Sequence, residues 1–308
     1  MTISKKQEHM HVDVSVILIN YNTLQETNQC IESIFNYTKG VSFEIIVVDN
    51  ASPDRSGDKL SERWGKKITL IQNKENVGFG RANNIGVNHA NGNYLFLLNT
   101  DTILLNDIIT KLYNFYQNHL QYPVIGSILV DKDGNENTSY GTYPKVINTL
   151  LQNCSIFINN KHKVSVKDNQ IREKTDCYLV DYVLGADMFM SKTVFINSQG
   201  FDPSFFLFFE ESDLQYRLAQ GKKNKMAIVK DTKLVHLVNT SMKKRPSAFI
   251  KTVNLQSQLI YFKKHTSKLG FLFFKYNLLI IEYLKGLFFH HYSQDEHKSF
   301  IDAIKEIK

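Results

Sequence analysis

Three strongly apolar segments in the first hundred residues most constrain how this chain can fold. They lie at residues 14–19, 43–48 and 94–98. Each is long enough for a strand that is buried on both faces, and segments of helical character separate them. Continuous apolar strands separated by helices indicate a parallel sheet that is covered on both sides. The predicted fold class is therefore α/β, with a Rossmann-like, mostly parallel sheet and flanking helices.

The predicted helices follow from spacing and from helix-start signals. Residues 24–35 place apolar side chains near helical spacing. Residues 52–64 are predicted to form a helix that Ser52 caps, with Pro53 at its first position. A short strand at 227–229 is predicted to lead into a loop that carries His236. Further helices are predicted at 82–90, 106–116 and 210–219, and from Pro246 to the end of the chain.

Polar residues recur where the predicted strands end. Asn20 follows the first strand, Asp49 follows the second, and Asn99 and Asp101 follow the strand at 94–98. In open α/β sheets, ligands bind at the carboxyl ends of the strands. The repeated placement of these side chains therefore predicts a ligand site along one edge of the sheet.

Asn99 and Asp101 form an N-x-D motif on the loop that leaves a buried strand. Mg²⁺ and Mn²⁺ favour oxygen ligands and share their coordination shell with diphosphate oxygens. A metal here would neutralise the charge that builds up on a departing diphosphate. The alternative interpretation is an ordinary turn, in which Asn and Asp are common.

The segment NKENVGFGRANN at residues 73–84 combines flexible backbone with polar side chains. Gly78 and Gly80 would allow the backbone to approach a ligand, and Arg81 could meet a phosphate. The segment matches neither GxxxxGK[ST] nor GxGxxG, so an ordinary turn before a helix is the alternative. Asp49 could accept a hydrogen bond from a ribose or a base, or could belong to a turn that caps the helix beyond it.

An aromatic run precedes three acids in FFLFFEESDLQYR at residues 205–217. Glu210 and Asp213 are three residues apart, so they share one face of a helix. Burial beside aromatic rings can raise the pKa of a carboxyl group and make it a useful general base. The alternative is an acidic first helical turn, with Asp213 paired to Arg217. His236 is a candidate metal ligand or phosphate contact, although a lone histidine is usually neither.

The chain is basic, and its charge is unevenly distributed. Its formal net charge is +7, and residues 222–268 hold about a dozen lysines and arginines against one acid, Asp231. Such a stretch can attract an anionic membrane or a pyrophosphate-bearing lipid, or it can be a solvated surface. No recognised motif for binding nucleic acid accompanies it. The three cysteines, with no C-x-x-C pair, suggest neither a zinc site nor a disulfide framework.

No segment has the length and composition of a membrane-spanning helix or of a signal peptide. The most apolar window, residues 269–289, is interrupted by Lys275, Glu282 and Lys285. This pattern is typical of an amphipathic helix that lies on a membrane. A helical lid on the catalytic domain, or a surface for a second copy of the chain, is the alternative. The predicted location is the cytoplasm, peripheral at the inner face of the cell membrane.

Taken together and in order, these motifs resemble family 2 glycosyltransferases of the GT-A fold. The resemblance covers about residues 13–241 and includes VSVILINYN, EIIVVDNAS, NKENVGFGRANNIG, YLFLLNTD, LGADMFMS and FFLFFEESDLQYR, followed by His236. Within the family, the chain is most similar to rhamnosyltransferase-like enzymes of bacterial polysaccharide assembly. The resemblance implies an inverting, Mn²⁺- or Mg²⁺-dependent transfer from a nucleotide-diphosphate sugar, such as dTDP-rhamnose or a UDP-hexose, to a lipid-linked saccharide.

The resemblance also implies a role for individual residues. Glu211 would be the base that deprotonates the acceptor hydroxyl, and Asp101 with His236 would bind the metal. The implied donor-binding residues are Asn20, Tyr21, Asp49, Asn76, Gly78, Arg81, Asn83 and Asn99. The implied acceptor-side residues are Gly185, Ala186 and Asp187.

Two departures from the family pattern leave parts of this assignment open. The metal motif is N-x-D where the family has D-x-D, so Asp101 is expected to be its only carboxylate ligand. The usual Glu-Asp pair is Glu210-Glu211 here, and the longer side chain keeps Glu210 and Asp213 as alternative bases. Two other functions remain: a sugar-phosphate nucleotidyltransferase, or a degenerate domain that binds without catalysis.

The predicted organisation has three parts. Residues 1–12 would form a polar extension, and 13–242 a GT-A catalytic domain with a donor half at 13–130 and an acceptor half at 131–242. Residues 243–308 would form a basic, amphipathic helical region.

Overall fold

The structure is a computed structural model that describes residues 11–154, 171–223, 225–237, 247–288 and 292–307. Part of the basic stretch, residues 238–246, lies outside the described residues, as does most of the predicted N-terminal extension. The strands are β1 (Val14–Asn20), β2 (Phe43–Asp49), β3 (Thr69–Gln72), β4 (Tyr94–Asn99), β5 (Thr102–Leu104), β6 (Ile125–Val130), β7 (Tyr140–Gly141), β8 (Arg172–Glu173), β9 (Cys177–Val180), β10 (Tyr182–Val183), β11 (Asp187–Ser191) and β12 (Met226–His236).

Ten helices flank these strands in the described part of the chain. They are α1 (Leu24–Tyr37), α2 (Ser56–Trp64), α3 (Phe79–Asn88), α4 (Ile108–Asn118), α5 (Val146–Cys154), α6 (Lys192–Asn197), α7 (Glu210–Ala219), α8 (Ser247–His265), α9 (Lys268–Phe288) and α10 (Gln294–Glu306). None of them combines the length and apolarity that crossing a membrane requires.

The main sheet has the strand order β3-β2-β1-β4-β11-β6-β12-β9-β8, and β5 pairs with β12. The first four strands are parallel, and β11 inserts antiparallel between β4 and β6. The apolar segments found in the sequence form β1, β2 and β4, whose central side chains are fully buried. The α/β prediction is therefore confirmed, because doubly buried strands leave no face of the sheet for polar side chains.

Two apolar clusters stabilise the chain. The larger one lies between the main sheet and its helices. The smaller one joins α5, α8 and α9 to α10, and it also contains Phe205 from the loop that precedes α7. The C-terminal helices therefore pack on the segment that leads into the predicted catalytic acids.

Two local predictions were wrong. The helix predicted from Ser52 begins at Ser56, because the Ser52 hydroxyl donates to Asp49 Oδ1 at 2.6 Å instead of capping the helix. His236 is the last residue of β12 rather than part of a loop, because β12 continues past an irregularity to pair with β5.

Candidate active site

A cavity of about 290 Å³ opens where β1 and β4 end, beside the start of α7. Its lining residues include Tyr21, Asn50, Asn76, Gly78, Asn99, Asp101, Gly185, Ala186, Phe206, Leu207, Phe208, Glu210, Glu211 and His236. Ten of the residues singled out from the sequence therefore share one cavity. Their common location follows from the sheet, since parallel strands end at the same edge.

Asp101 and His236 form a polar corner of the cavity. Asp101 Oδ1 lies 3.4 Å from His236 Nε2, and the two side chains are 12% and 14% exposed. The pairing of β5 with β12 fixes this approach, because His236 stands opposite Thr102 in the register. The Leu237 amide also donates to the Asp101 carbonyl at 2.9 Å.

The side chains at this corner are suited to a divalent cation that also binds a small-molecule ligand. One carboxylate and one imidazole are both accepted by Mn²⁺, and the remaining positions suit diphosphate oxygens and water. The described residues contain no group of three or more His, Cys, Asp or Glu side chains that could enclose a metal. Asp101 and His236 therefore fit a cation shared with a nucleotide better than a closed protein site.

Glu210 and Glu211 begin α7, and both line the cavity. Burial raises the pKa of Glu210, and the neighbouring charge of Glu211 raises it further. Burial also raises the pKa of Glu211. Within the described residues, Glu210 Oε2 has no hydrogen-bond partner. These two carboxyl groups can therefore accept a proton from a ligand more readily than exposed ones.

Asp213, the third acid considered as a base, lies outside the cavity lining. Its side chain is fully buried, and it pairs with Arg217 at 2.8 Å, Lys264 at 2.6 Å and His265 at 2.8 Å. Burial alone would raise the pKa of Asp213, but hydrogen bonds from His265 and Lys264 and the charge of Arg217 hold it at about 2. Asp213 thus ties α7 to the end of α8, and it is a poor proton acceptor.

Asn20 and Asp49 are not among the residues that line the cavity. Both are buried, and Asn20 Nδ2 donates to Asp49 Oδ1 at 2.5 Å. Asn20 Oδ1 accepts from the hydroxyls of Thr23 and Thr27. Their side chains therefore brace the ends of β1 and β2, whereas Tyr21 reaches the cavity lining.

Asn50 was missed in the sequence, although it directly follows Asp49. It lines the cavity, and its side-chain amide forms hydrogen bonds with the segment at residues 73–84. Its Oδ1 accepts from the Val77 amide at 3.1 Å, and its Nδ2 donates to Asn76 Oδ1 at 2.9 Å. A polar residue one position beyond a strand end was the available signal, but the contacts that use it come from a distant loop.

Arg81 and Asn83 are not in the cavity lining. Arg81 is exposed, and its Nε donates to the Pro203 carbonyl at 2.7 Å, which joins α3 to the segment before α7. Asn83 is buried in α3 and donates to the Phe79 carbonyl at 3.1 Å. The structure thus gives both residues contacts within the protein.

The 205–209 loop, which is the aromatic run before α7, forms one wall of the cavity. The Phe79 amide donates to the Phe206 carbonyl at 2.9 Å. Phe208 and Phe209 have positive φ angles of 71° and 67°. Residues other than glycine rarely adopt positive φ angles, so surrounding contacts must hold the backbone in this conformation. From the sequence, these aromatic residues were expected to bury the acids that follow them, but not to line a cavity.

Gly185 and Ala186 border the cavity beside Glu211, but Asp187 does not. A Cβ atom on Gly185 would lie 3.7 Å from Glu211 Cβ, so this glycine leaves room next to the acid. Asp187 is fully buried in β11, where its Oδ2 accepts from the Ser127 amide at 2.6 Å. Burial raises the pKa of Asp187 to about 8.

The sequence matches the family model for glycosyl transferase family 2 over residues 15–179. It is 31% identical over 186 residues to an uncharacterized glycosyltransferase of Haemophilus influenzae, a match that covers 56% of this chain and 57% of that protein. It is 26% identical over 227 residues to a low-salt glycan biosynthesis hexosyltransferase of Haloferax volcanii, covering 71% of this chain and 66% of that protein. The chain thus spans less than two thirds of the length of each relative.

The fold is similar to that of a mannosyltransferase from Pyrobaculum calidifontis, solved in complex with GDP-Man and Mn²⁺. The TM-score is 0.56 at 14% sequence identity, and the match covers 96% of this chain and 74% of that one. At this identity the similarity concerns the fold alone.

Proposed function

The chain belongs to glycosyl transferase family 2, and from that premise we propose that it transfers a sugar from a nucleotide-diphosphate donor to a saccharide acceptor. One observation carries the proposal. The pair Asp101–His236 and the acids Glu210 and Glu211 line the same cavity at the carboxyl edge of the sheet. A leaving diphosphate needs a positively charged partner, and an attacking hydroxyl needs a base.

Asp101 and His236 would hold a divalent cation, Mn²⁺ or Mg²⁺. When bound, such a cation supplies Lewis-acid stabilisation of the negative charge on the diphosphate. Asn99 lines the same part of the cavity and is proposed to contact the diphosphate. Tyr21, Asn50, Asn76 and Gly78 are proposed to form the nucleotide side.

We assign the proton transfer to Glu211. Its carboxylate takes the proton of the acceptor hydroxyl while the oxygen attacks the anomeric carbon. The bond from that carbon to the diphosphate oxygen breaks in the same displacement, and the diphosphate leaves with the electron pair. Configuration at the anomeric carbon is inverted. Glu210 is the alternative base, since it lines the same cavity and its Oε2 has no partner among the described residues.

The finer proposals concern the substrates. The proposed donor is dTDP-rhamnose or a UDP-hexose, and the proposed acceptor is a lipid-linked saccharide in cell-surface polysaccharide synthesis at the inner face of the membrane. The name of the Haloferax volcanii relative, a hexosyltransferase of glycan biosynthesis, supports a hexosyl donor. The ordered motifs in the sequence support the rhamnosyl alternative.

A donor screen tests the proposal. Thermal unfolding would be followed with UDP, dTDP and GDP, each with and without Mn²⁺ or Mg²⁺, because a ligand that binds only the folded state raises the melting temperature. We expect a metal-dependent shift with one nucleotide. The matching nucleotide sugars would then be incubated with saccharide acceptors, and the released nucleoside diphosphate would be measured.

Wild-type chain and Glu211→Gln would be compared in the same transfer assay. Release by the wild type that depends on acceptor, and its loss in the variant, supports transfer. Binding without turnover with any acceptor would favour a degenerate binding domain. Pyrophosphate release from a nucleoside triphosphate would favour a nucleotidyltransferase.

A further inference from the structure

Helix α9 presents an unusually apolar face to solvent. Six large apolar side chains recur along it at alternating spacings of four and three residues: Leu269, Phe273, Tyr276, Ile280, Tyr283 and Leu287. We call them the α9 stripe, and each is between 49% and 79% exposed. Large contiguous apolar surfaces of this kind mark sites of interaction with protein or membrane.

The α9 stripe is a fixed part of the folded chain. The opposite face of α9 buries Phe271, Phe274 and Leu278 in the smaller apolar cluster. Lys275 Nζ donates to the Ile307 carbonyl at 2.6 Å, which ties α9 to the end of α10. Because α9 is held by its buried face, the stripe cannot turn inward without breaking that cluster.

Among the exposed charged side chains of α5, α8 and α9, only one sign is found, whereas α10 on the buried side of α9 also carries exposed acids. Helices α5, α8 and α9 contain a single acid, Glu282. It is fully buried and pairs with Lys251 at 2.6 Å and Lys285 at 2.7 Å. Lys263 and Lys268, at the junction between α8 and α9, are exposed. The charges that these helices offer to a partner are therefore positive.

One of the helices packed against α9, α5, also has exposed apolar side chains and a neighbouring lysine. α5 packs against α9 and leaves Ile147 and Leu151 each 56% exposed. Lys145, immediately before α5, is also exposed. Helices α5, α8 and α9 thus combine exposed apolar side chains and lysines without an exposed acid of their own, which is what an interfacial helix presents to a bilayer that contains anionic lipids.

We propose that the α9 stripe docks on the surface of an anionic bilayer, with its apolar side chains in the headgroup region and Lys263 and Lys268 on lipid phosphates. A second copy of the chain is less well matched at the stripe itself, because α5, α8 and α9 offer it no exposed acid to pair with the lysines; the exposed acids of this region, Asp295, Asp302 and Glu306, are on α10. The proposal is independent of sugar transfer, since binding to lipid needs neither donor nor acceptor.

Vesicle co-sedimentation of the full chain tests the proposal. Vesicles of phosphatidylcholine alone would be compared with vesicles that also contain phosphatidylglycerol. We expect binding to the anionic vesicles. Ile280→Ser with Leu287→Ser should lower the partition coefficient by about tenfold or more, because two apolar side chains no longer insert. Lys263→Gln with Lys268→Gln should lower it by about fivefold per lysine.

Leu105→Ser with Leu120→Ser is the matched control, since these leucines are 50% and 68% exposed and lie outside α9. This control should bind as the wild type does. Circular dichroism would verify that all variants fold. Equal loss in stripe and control variants, or no vesicle binding by the wild type, would overturn the proposal. So would a wild-type dimer, seen by sedimentation velocity without lipid, that the stripe variant converts to monomer.

Discussion

Asp101 Oδ1 and His236 Nε2 lie 3.4 Å apart, although one residue follows β4 and the other ends β12. The contact depends on β5, which follows Asp101 and pairs antiparallel with the end of β12. A carboxylate and an imidazole are thereby held together on strands rather than on free loops. In the proposed function, this arrangement would pre-position two ligands for a cation that arrives with a nucleotide.

Removing either ligand should uncouple nucleotide binding from the metal. Asp101→Asn and His236→Ala are each expected to lower Mn²⁺ affinity at least tenfold, roughly the effect of losing a supporting contact at other metal sites. Titration calorimetry with nucleotide and Mn²⁺ measures this, and EDTA should reduce the wild type to the same level. Asp231→Asn, an exposed position on β12, is the control. Unchanged metal dependence in both ligand variants would place the cation elsewhere.

The acids at the start of α7 predict a pH dependence. Burial raises the pKa of both Glu210 and Glu211 above the ordinary value of 4.5. A general base works only when it is deprotonated, so kcat/KM should rise with pH through a midpoint above 4.5. Glu211→Gln should lower kcat about 100- to 10,000-fold while donor binding persists.

Glu210→Gln distinguishes the two carboxyl groups. Burial and the charge of Glu211 raise the pKa of Glu210, whereas burial raises that of Glu211, so Glu210→Gln should leave the midpoint of the acid limb close to that of the wild type. Rates measured over a pH series for wild type and both variants provide the comparison. If Glu210→Gln abolishes transfer and Glu211→Gln does not, the base is Glu210.

The strands that are buried along their whole length could be predicted from the sequence. Apolar runs such as residues 14–19 must be covered on both faces, so they predicted the sheet and its ligand edge. The resemblance to glycosyl transferase family 2 is confirmed by the match to the family model, and the GT-A fold by the similarity to a solved structure. Both were predictable because the motifs at the strand ends keep their order along the chain. The rhamnosyl assignment stays a prediction.

Long-range contacts limited the prediction of individual site residues. Ser52 is a residue type that commonly caps helices, but its hydroxyl donates a hydrogen bond to Asp49 instead. Arg81 was a candidate phosphate contact, but its Nε donates a hydrogen bond to the Pro203 carbonyl. The sequence predicted only Arg217 as a partner of Asp213. In the structure Asp213 also pairs with Lys264 and His265, which lie about 50 residues further along the chain. Spacing within one segment does not show which distant group will take a side chain.

Gly78 should tolerate no side chain. It has a φ of +89°, and an added Cβ would collide with the Phe206 carbonyl oxygen of the 205–209 loop. Gly134 has a similar φ of +85° with open space around it, so it is a matched control. We expect Gly134→Ala to cost about 1 kcal/mol from backbone strain alone. Gly78→Ala should cost more and should also weaken nucleotide binding, measured by thermal unfolding with and without ligand. Equal effects would mean that the loop yields freely.

Asp213 should contribute stability that is lost at low pH. Its folded-state pKa of about 2 lies below the ordinary value of 3.8. The contribution, about 2 kcal/mol, is therefore complete above pH 3.8 and disappears as pH falls toward 2. Asp213→Asn should lower the free energy of unfolding at pH 7, and the difference from wild type should shrink below pH 4. Urea unfolding across this range measures it. A constant difference would show that the ion pairs contribute nothing that depends on charge.

Asp187 should have the opposite effect, because its pKa is raised by burial to about 8 from the ordinary value of 3.8. Between these pH values the folded chain binds the proton and the unfolded chain does not. The free energy of unfolding therefore falls as pH rises, by up to about 1.4 kcal/mol per pH unit. Asp187→Asn is neutral and keeps an oxygen for the Ser127 amide, so its advantage over wild type should grow from pH 4 to pH 8 and then level off.

Urea unfolding of wild type, Asp187→Asn and the exposed control Asp231→Asn over this range tests the Asp187 prediction. The control should follow the wild type. An Asp187→Asn curve parallel to wild type would mean that Asp187 is ionised in the folded chain. Loss of transfer in a stable Asp187→Asn variant would instead return this residue to the acceptor side, where the family resemblance placed it.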